Sequence, residues 1–214
     1  MKLKDCHNFE DFRKLAKKKL PSPIFHYIDG GADDEVTLNR NTSSFNDYDL
    51  VPSVLNDVSN IDMSTTVLGE KIDFPLFPAA TAMHRLYHHE GERASARAVE
   101  KMGTIFGTST MGTVSIEEIS KVNKGPKLFQ LYIHKDRGLT DNLLERCKKA
   151  GFRSMCLTVD TVVAGNRERD RRTGFTTPPK LTLGSLLSFA LHPGWTINNL
   201  IHEKFKLANI VHMT

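Results

Sequence analysis

Four apolar runs recur at an even spacing, and they restrict what this chain can fold into more than any other feature. They occupy residues 75–80, 103–106, 128–133 and 155–159, about 22 to 28 residues apart. Helical segments fill the intervals, at residues 90–102, Ile116–Val122 and 140–150. Ser115 and Glu118 form a capping box that fixes the start of the middle one. Gly103 and Gly151 are the expected stops of the other two. Parallel strands cannot be joined by tight turns and need a crossover, so strand, helix, strand at this spacing predicts parallel β/α units.

Two architectures satisfy that pattern, an open doubly wound sheet and a TIM (β/α)8 barrel. The strand ends separate them. Each apolar run finishes in polar residues: Thr81, then Ser109 and Thr110, then Gln130 and Tyr132, then Thr158 and Asp160. Polar groups at the C-terminal end of every successive strand suit a barrel, whose strand ends all face one mouth. An open sheet concentrates them at one switch point. No Gly-x-Gly-x-x-Gly follows the first run, which weakens a nicotinamide-binding alternative. The prediction is an α/β barrel of which only about the first four β/α units are present, behind an N-terminal helical extension. Residues 1–73 form the extension and a hairpin, 74–166 the half-barrel, and 167–214 a basic and apolar insertion after the fourth strand. Four strands of eight leave open edges, so the chain reads as a fragment or a truncated product.

Within the extension, Asn8 caps a helix over Phe9–Lys19 and Pro21 stops it. A second helix over 23–29 is expected to end at Gly30-Gly31 in a left-handed stop. A third is expected over 33–43, with acids in its first turn. A hairpin pairs 66–68 with 71–72 across Gly69-Glu70.

Charge is uneven along the chain. Residues 1–166 carry 22 basic and 22 acidic side chains, whereas residues 167–214 carry 7 and 3, so the whole net charge of +4 lies in the last 48 residues. That excess is too small to argue for nucleic acid. With 39% hydrophobic and 25% charged residues, the composition excludes collagen-like, coiled-coil and disordered chains. Cys6, Cys147 and Cys156 have no metal-ligand or disulfide spacing, which suggests reduced thiols and a cytoplasmic setting. The charged start argues against a cleaved secretory leader. No run reaches the roughly 18–20 apolar residues that span a bilayer. The stretch 181–191 could instead lie on a membrane surface.

Among candidate site residues, Gln130 with Tyr132, and Thr158 with Asp160, alternate onto common strand faces. Neutral amides and hydroxyls there can hydrogen-bond a flat heteroaromatic ring without the cost of burying charge. A Tyr and an Asp beside them can handle an alcohol and a proton. An arginine just after Asp160 could clamp a carboxylate. His26, His84, His88 and His89 lack ligand spacing and read as surface or supporting residues, with no metal implied.

Several motifs, in order, make the chain resemble a known family. They are Leu20-Pro21 with Tyr27 and Gly30-Gly31-Ala32, then Asn60 to Thr66, Ala80-Thr81-Ala82-Met83, and His89-Glu90-Gly91-Glu92. Ser115-Ile116-Glu117-Glu118, Phe129-Gln130-Leu131-Tyr132 and Leu157-Thr158-Val159-Asp160-Thr161 follow. Together they resemble the N-terminal half of the FMN-dependent α-hydroxy acid dehydrogenases and oxidases, closest to the bacterial respiratory L-lactate dehydrogenase branch. The resemblance implies FMN as cofactor, contacted by Ala80, Thr81, Ala82, Ser109, Gln130 and Thr158. It implies Tyr27 and Arg167 on the substrate carboxylate, Tyr132 on the substrate hydroxyl, and Asp160 stabilising a protonated catalytic histidine. That histidine, its partner arginine, a flavin lysine and the main phosphate site belong to strands beyond these residues. The 214 residues alone are therefore expected to bind FMN weakly and turn over no substrate. Ala80 stands where relatives commonly have Pro, and Met111 where glycolate oxidases have Trp.

The implied reaction is oxidation of a small L-2-hydroxy acid, first of all L-lactate to pyruvate. If the chain docks on a membrane, the resemblance implies a quinone or cytochrome as acceptor, and the family suggests a homo-oligomer. Membrane-associated members dock through a segment after the fourth strand. Here Arg169, Arg171, Arg172 and Lys180 precede Leu183, Leu186, Leu187, Phe189, Leu191 and Trp195, suiting peripheral contact through 169–195 at the inner face of the membrane. Two alternatives stay open: a non-redox barrel enzyme acting on a phosphorylated metabolite, and an inactive product or membrane-binding module.

Overall fold

The computed structural model describes residues 2–176 and 180–210. In chain order these form helices α1 (Phe9–Lys19), α2 (Ser22–Asp29) and α3 (Val36–Ser43), then strands β1 (Thr65–Val67) and β2 (Glu70–Ile72). Next come α4 (Glu92–Lys101), β3 (Phe106–Ser109), α5 (Ile116–Val122), β4 (Lys127–Leu131), α6 (Arg137–Lys149) and β5 (Ser154–Leu157). Helices α7 (Glu168–Thr173), α8 (Leu183–Leu191) and α9 (Pro193–Ile201) follow. Two compact units result, one from residues 1–56 with 163–202, the other from 57–162 with 203–214.

The first unit is helical. Asn8 caps α1 by accepting from the Asp11 amide at 2.9 Å, as its sequence predicts. Arg13 on α1 grips Asp29 at the end of α2 with two bonds of 2.5 and 3.0 Å. Gly30 does end α2, but not as a left-handed stop, since its φ is −88°. Space demands the glycine instead: a Cβ there would lie 2.7 Å from the His26 carbonyl oxygen and 3.1 Å from Arg169 Cδ. The third helix starts later than expected, at Val36, because Asp33 and Glu35 both take positive φ. Glu35 turns its carboxylate back onto the Gly31 amide at 3.0 Å, so no acid occupies the first helical turn. That amide bond is the main cause holding the Glu35 carboxyl below its usual range.

The second unit carries the sheet. Strands β1 and β2 pair antiparallel with Val67 opposite Glu70. The turn is Leu68-Gly69, one residue earlier than the sequence suggests, with φ of 53° and 79°. Positive φ at both central positions matches the right-handed twist of the flanking strands. Strands β3, β4 and β5 form a parallel sheet in that order, with Ser109 opposite Gln130 and Gln130 opposite Cys156. Phe106, Ile116, Ile119, Phe129 and Leu143 are buried in one cluster between sheet and helices.

The first apolar run departs from expectation. Among the described residues, 75–80 forms no hydrogen-bonded strand, and the parallel sheet has three strands where four were expected. Pro75 and Pro78 supply no N–H, so a regular ladder cannot form across them. The run still lies along β3: Thr104 donates to the Leu76 carbonyl at 2.8 Å, and a Cβ on Gly107 would come within 3.1 Å of Ala80. At the other side, Met155 and Leu157 of β5 are about half exposed.

Helices α5 and α6 are pinned by Arg146, whose Nε and Nη2 donate to the two Glu117 oxygens at 2.7 and 2.9 Å. That pairing holds the Glu117 carboxyl down at about 2. A depressed carboxylate adds stability above its unfolded-state value of 4.5 and loses it as pH falls towards about 2. Glu117 is half exposed, so solvent screens the pair and its contribution is small. Arg146→Met should return the Glu117 titration towards 4.5 in an NMR carboxyl experiment; an unmoved titration would show that another group depresses it.

Candidate active site

Three predicted residues meet at the ends of three adjacent strands. The Ser109 hydroxyl donates to Gln130 Oε1 at 2.8 Å, and Gln130 Nε2 donates to Thr158 Oγ1 at 2.5 Å. The parallel register causes this: Ser109 faces Gln130 directly, and the Thr158 amide continues the ladder by donating to the Leu131 carbonyl at 3.0 Å. Thr110 braces the row by donating to the Gln130 carbonyl at 2.7 Å and accepting from the Tyr132 amide at 3.1 Å. Ser109 and Gln130 are buried, whereas Thr158 is half-buried. Each group is neutral; Ser109 spends its one hydrogen on Gln130, while by donor count the Gln130 amide keeps a second hydrogen and Thr158 its own. Tyr132 is half-buried just past β4, and Asp160 is exposed three residues past β5.

Residues 80–92 form a second element of this unit. Ala80 and Ala82 are half-buried and Thr81 is exposed. Thr81 Oγ1 lies 2.5 Å from His84 Nε2, and Ser95 Oγ lies 3.3 Å from His84 Nδ1. Burial pushes the His84 imidazole below its usual value, against the opposing pull of the Glu92 charge. Glu92, only 1% exposed, accepts from the Thr113 amide at 2.9 Å, the Thr113 hydroxyl at 2.6 Å and the His84 amide at 3.3 Å. The sequence marks Glu92 only as part of a motif and gives His84 no more than a supporting place. Their pairing, eight residues apart, comes from the Met83 and Gly91 turns, both at φ 57°. Among the described residues, no group of three His, Cys, Asp or Glu side chains could hold a metal ion.

Tyr27 and Arg167 belong to the helical unit and meet there. The guanidinium lies 5.2 Å from the Tyr27 ring centroid and donates to the Tyr27 carbonyl, to the Gly30 carbonyl at 3.0 Å and to Asp170 at 2.6 Å. Those bonds take three of its five donors, one on each nitrogen, and leave a second hydrogen on both terminal nitrogens by count.

The basic run differs from its sequence expectation. Arg169 is committed to Asp29 at 2.8 Å and to Glu35, and Arg172 to Glu168 at 2.5 Å. These carboxylates neutralise two of the four cations assigned to a surface role. Helix α8, in contrast, is turned inside out. Ser185 donates to the Thr173 carbonyl at 2.7 Å and Ser188 accepts from the Ser22 amide at 2.8 Å, so its polar side faces protein. Leu183, Leu186, Leu187 and Leu191 lie on the opposite side, 52–86% exposed. Among the described residues, no helix is long and apolar enough to cross a membrane.

Fold and strand ends together define part of a TIM-barrel protein with neutral polar side chains joined across three adjacent strand ends. The profile of the FMN-dependent dehydrogenase family matches residues 16–213, and the chain belongs to that family, whose cofactor is FMN. It is 44% identical to glycolate oxidase of Spinacia oleracea over 176 residues, covering 82% of this chain and 48% of that one. It is 46% identical to L-lactate oxidase of Nostoc sp. over 187 residues, covering 86% of this chain and 51% of that one. The crystal structure of the monotopic membrane protein (S)-mandelate dehydrogenase superposes with a TM-score of 0.89 at 34% identity, covering 97% of this chain and 55% of that one. The chain thus spans about half the length of the relatives it matches.

Proposed function

We propose that this chain forms the FMN-facing part of an enzyme that oxidises a small L-2-hydroxy acid, L-lactate to pyruvate first among them. The observation that carries the reading is the Ser109–Gln130–Thr158 relay. Its neutral donors and acceptors fit the polar edge of a flavin ring, with backbone groups of Ala80, Thr81 and Ala82 as further contacts. FMN, when bound, supplies the acceptor for the electron pair that leaves the substrate carbon. Tyr132 hydrogen-bonds the substrate hydroxyl. Asp160 stabilises the positive charge a base acquires on taking the hydroxyl proton, the logic by which a carboxylate supports an imidazolium. Tyr27 and the remaining Arg167 hydrogens bind the substrate carboxylate. A quinone or cytochrome acceptor and a homo-oligomeric assembly belong to the same reading.

Absorbance tests it. The full-length protein should purify yellow and bleach anaerobically on adding L-lactate. A colourless protein that takes up no added FMN would overturn the reading. Bleaching by glycolate or mandelate, with no response to lactate, would keep the class and change the substrate.

The outward apolar side of α8 supports peripheral membrane contact as part of this proposal. Burying four leucines in the interfacial region outweighs the pairing of two cations with neighbouring carboxylates. Leu186→Asp with Leu187→Asp should abolish co-sedimentation with anionic phospholipid vesicles. Unchanged co-sedimentation would remove this contact.

A further inference from the structure

The chain leaves the sheet-bearing unit after Val162 and re-enters it at Glu203. The returning segment is fastened tightly. Glu203 pairs with the buried Arg85 and, at 3.1 Å, with Arg93. The Ala208 amide donates to the Gly112 carbonyl at 3.0 Å, and Arg146 Nη1 donates to the Asn209 carbonyl at 3.1 Å.

The Asn209 side chain goes deeper. It is 1% exposed and spends both ends of its amide on the two residues that flank the loop between β3 and α5. Oδ1 accepts from the Ile116 amide at 3.0 Å, one of the donors that the first turn of α5 cannot satisfy itself. Nδ2 donates to the Ser109 carbonyl at 3.3 Å. The Ser109 hydroxyl, which accepts from the Met111 amide at 3.2 Å, is the first member of the strand-end relay. Gly112 makes room for this contact: a Cβ there would lie 3.0 Å from the Ser109 carbonyl oxygen and 3.3 Å from Asn209 Nδ2.

We infer that Asn209 is a positioning residue for the flavin site, holding the Ser109 backbone so that its hydroxyl stays aimed at Gln130. The inference rests on the reading of Ser109 and Gln130 as FMN contacts. The Ser109 carbonyl also accepts from the Gly112 amide at 2.9 Å, and Asn209, one hundred positions away in sequence, adds the second donor that ties this carbonyl to the returning segment. The amide is needed at both ends. A carboxylate could still accept from Ile116 but would set an oxygen against the Ser109 carbonyl.

The test is FMN affinity in the full-length protein, read by quenching of flavin fluorescence, for Asn209→Asp and Gly112→Ala. Gly112→Ala presses on the same contact from the opposite side and keeps the test open should Asn209→Asp not fold. Both variants should bind FMN about tenfold more weakly, the scale of one lost hydrogen bond. In a Ser109→Ala background the same changes should cost less than about twofold, because the group they position is gone. A purely structural role would cost the same in both backgrounds. Wild-type affinity in both variants, or equal losses with and without the Ser109 hydroxyl, overturns the role of Asn209 and leaves the FMN reading standing. Failure of the unaltered protein to bind FMN overturns both.

Discussion

Gln130→Leu should weaken FMN binding by about two orders of magnitude while leaving the chain folded. The side chain is 8% exposed and links two strands through its own amide, accepting from Ser109 and donating to Thr158. Leucine fills similar volume but removes both bonds, leaving two hydroxyls without their shared partner and an apolar face where a flavin edge would seek donors. The capacity Gln130 retains, one amide hydrogen and one carbonyl lone pair, is what a flavin edge would bond; two such bonds lost at about 1–1.5 kcal/mol each give roughly one hundredfold in affinity. The same change should lower stability by about 1–3 kcal/mol, the penalty for leaving the buried Ser109 hydroxyl and the half-buried Thr158 hydroxyl without their partner. Fluorescence titration with FMN alongside urea unfolding separates the two effects. An affinity within about threefold of the unaltered protein would remove Gln130 from the site.

Glu92→Ala should be the most destabilising single change near the site, by about 4 kcal/mol. The carboxylate is buried and serves three donors: the amide and hydroxyl of Thr113 and the amide of His84. Alanine leaves all three without an acceptor and opens a cavity under the turn that carries Thr81. In a chain of this size, such a loss lowers the melting midpoint by roughly 8–16 °C. Glu92→Gln keeps one acceptor and similar volume, so it should recover about half of the loss. Differential scanning calorimetry on both variants reads this directly. Equal midpoints for Ala and Gln would mean that packing, and not the hydrogen bonds, accounts for the position.

Both predictions concern residues whose identity the sequence displays and whose partners it conceals. Helix starts were legible at Asn8 and at Ser115 with Glu118, but not at α6, which Asp136 caps so that it begins at Arg137, three residues before the expected 140. The α3 start was not, because the Glu35 carboxylate folds back onto the Gly31 amide in place of entering the helix. The run at 75–80 shows why apolar patterning alone overcounts strands: it lies along β3 with residues 75–79 exposed, and its prolines withhold the donors a ladder needs. Arg169 and Arg172 looked like free surface charge, yet carboxylates in other helices or one turn away neutralise them.

By itself, the sequence determined the class: alternating strands and helices at a fixed spacing, polar residues at successive strand ends, and motifs whose order marks the FMN-dependent dehydrogenase family. Those properties are local or periodic, so they survive in a one-dimensional string. Only the tertiary structure decided which strand-end residues touch, that Glu92 holds the turn at Thr81 and His84, that α8 presents its leucines outward, and that Asn209 reaches back to Ser109. Each of these is a pairing set by register or chain return, and a hydrogen bond between residues one hundred positions apart leaves no period for a sequence to show.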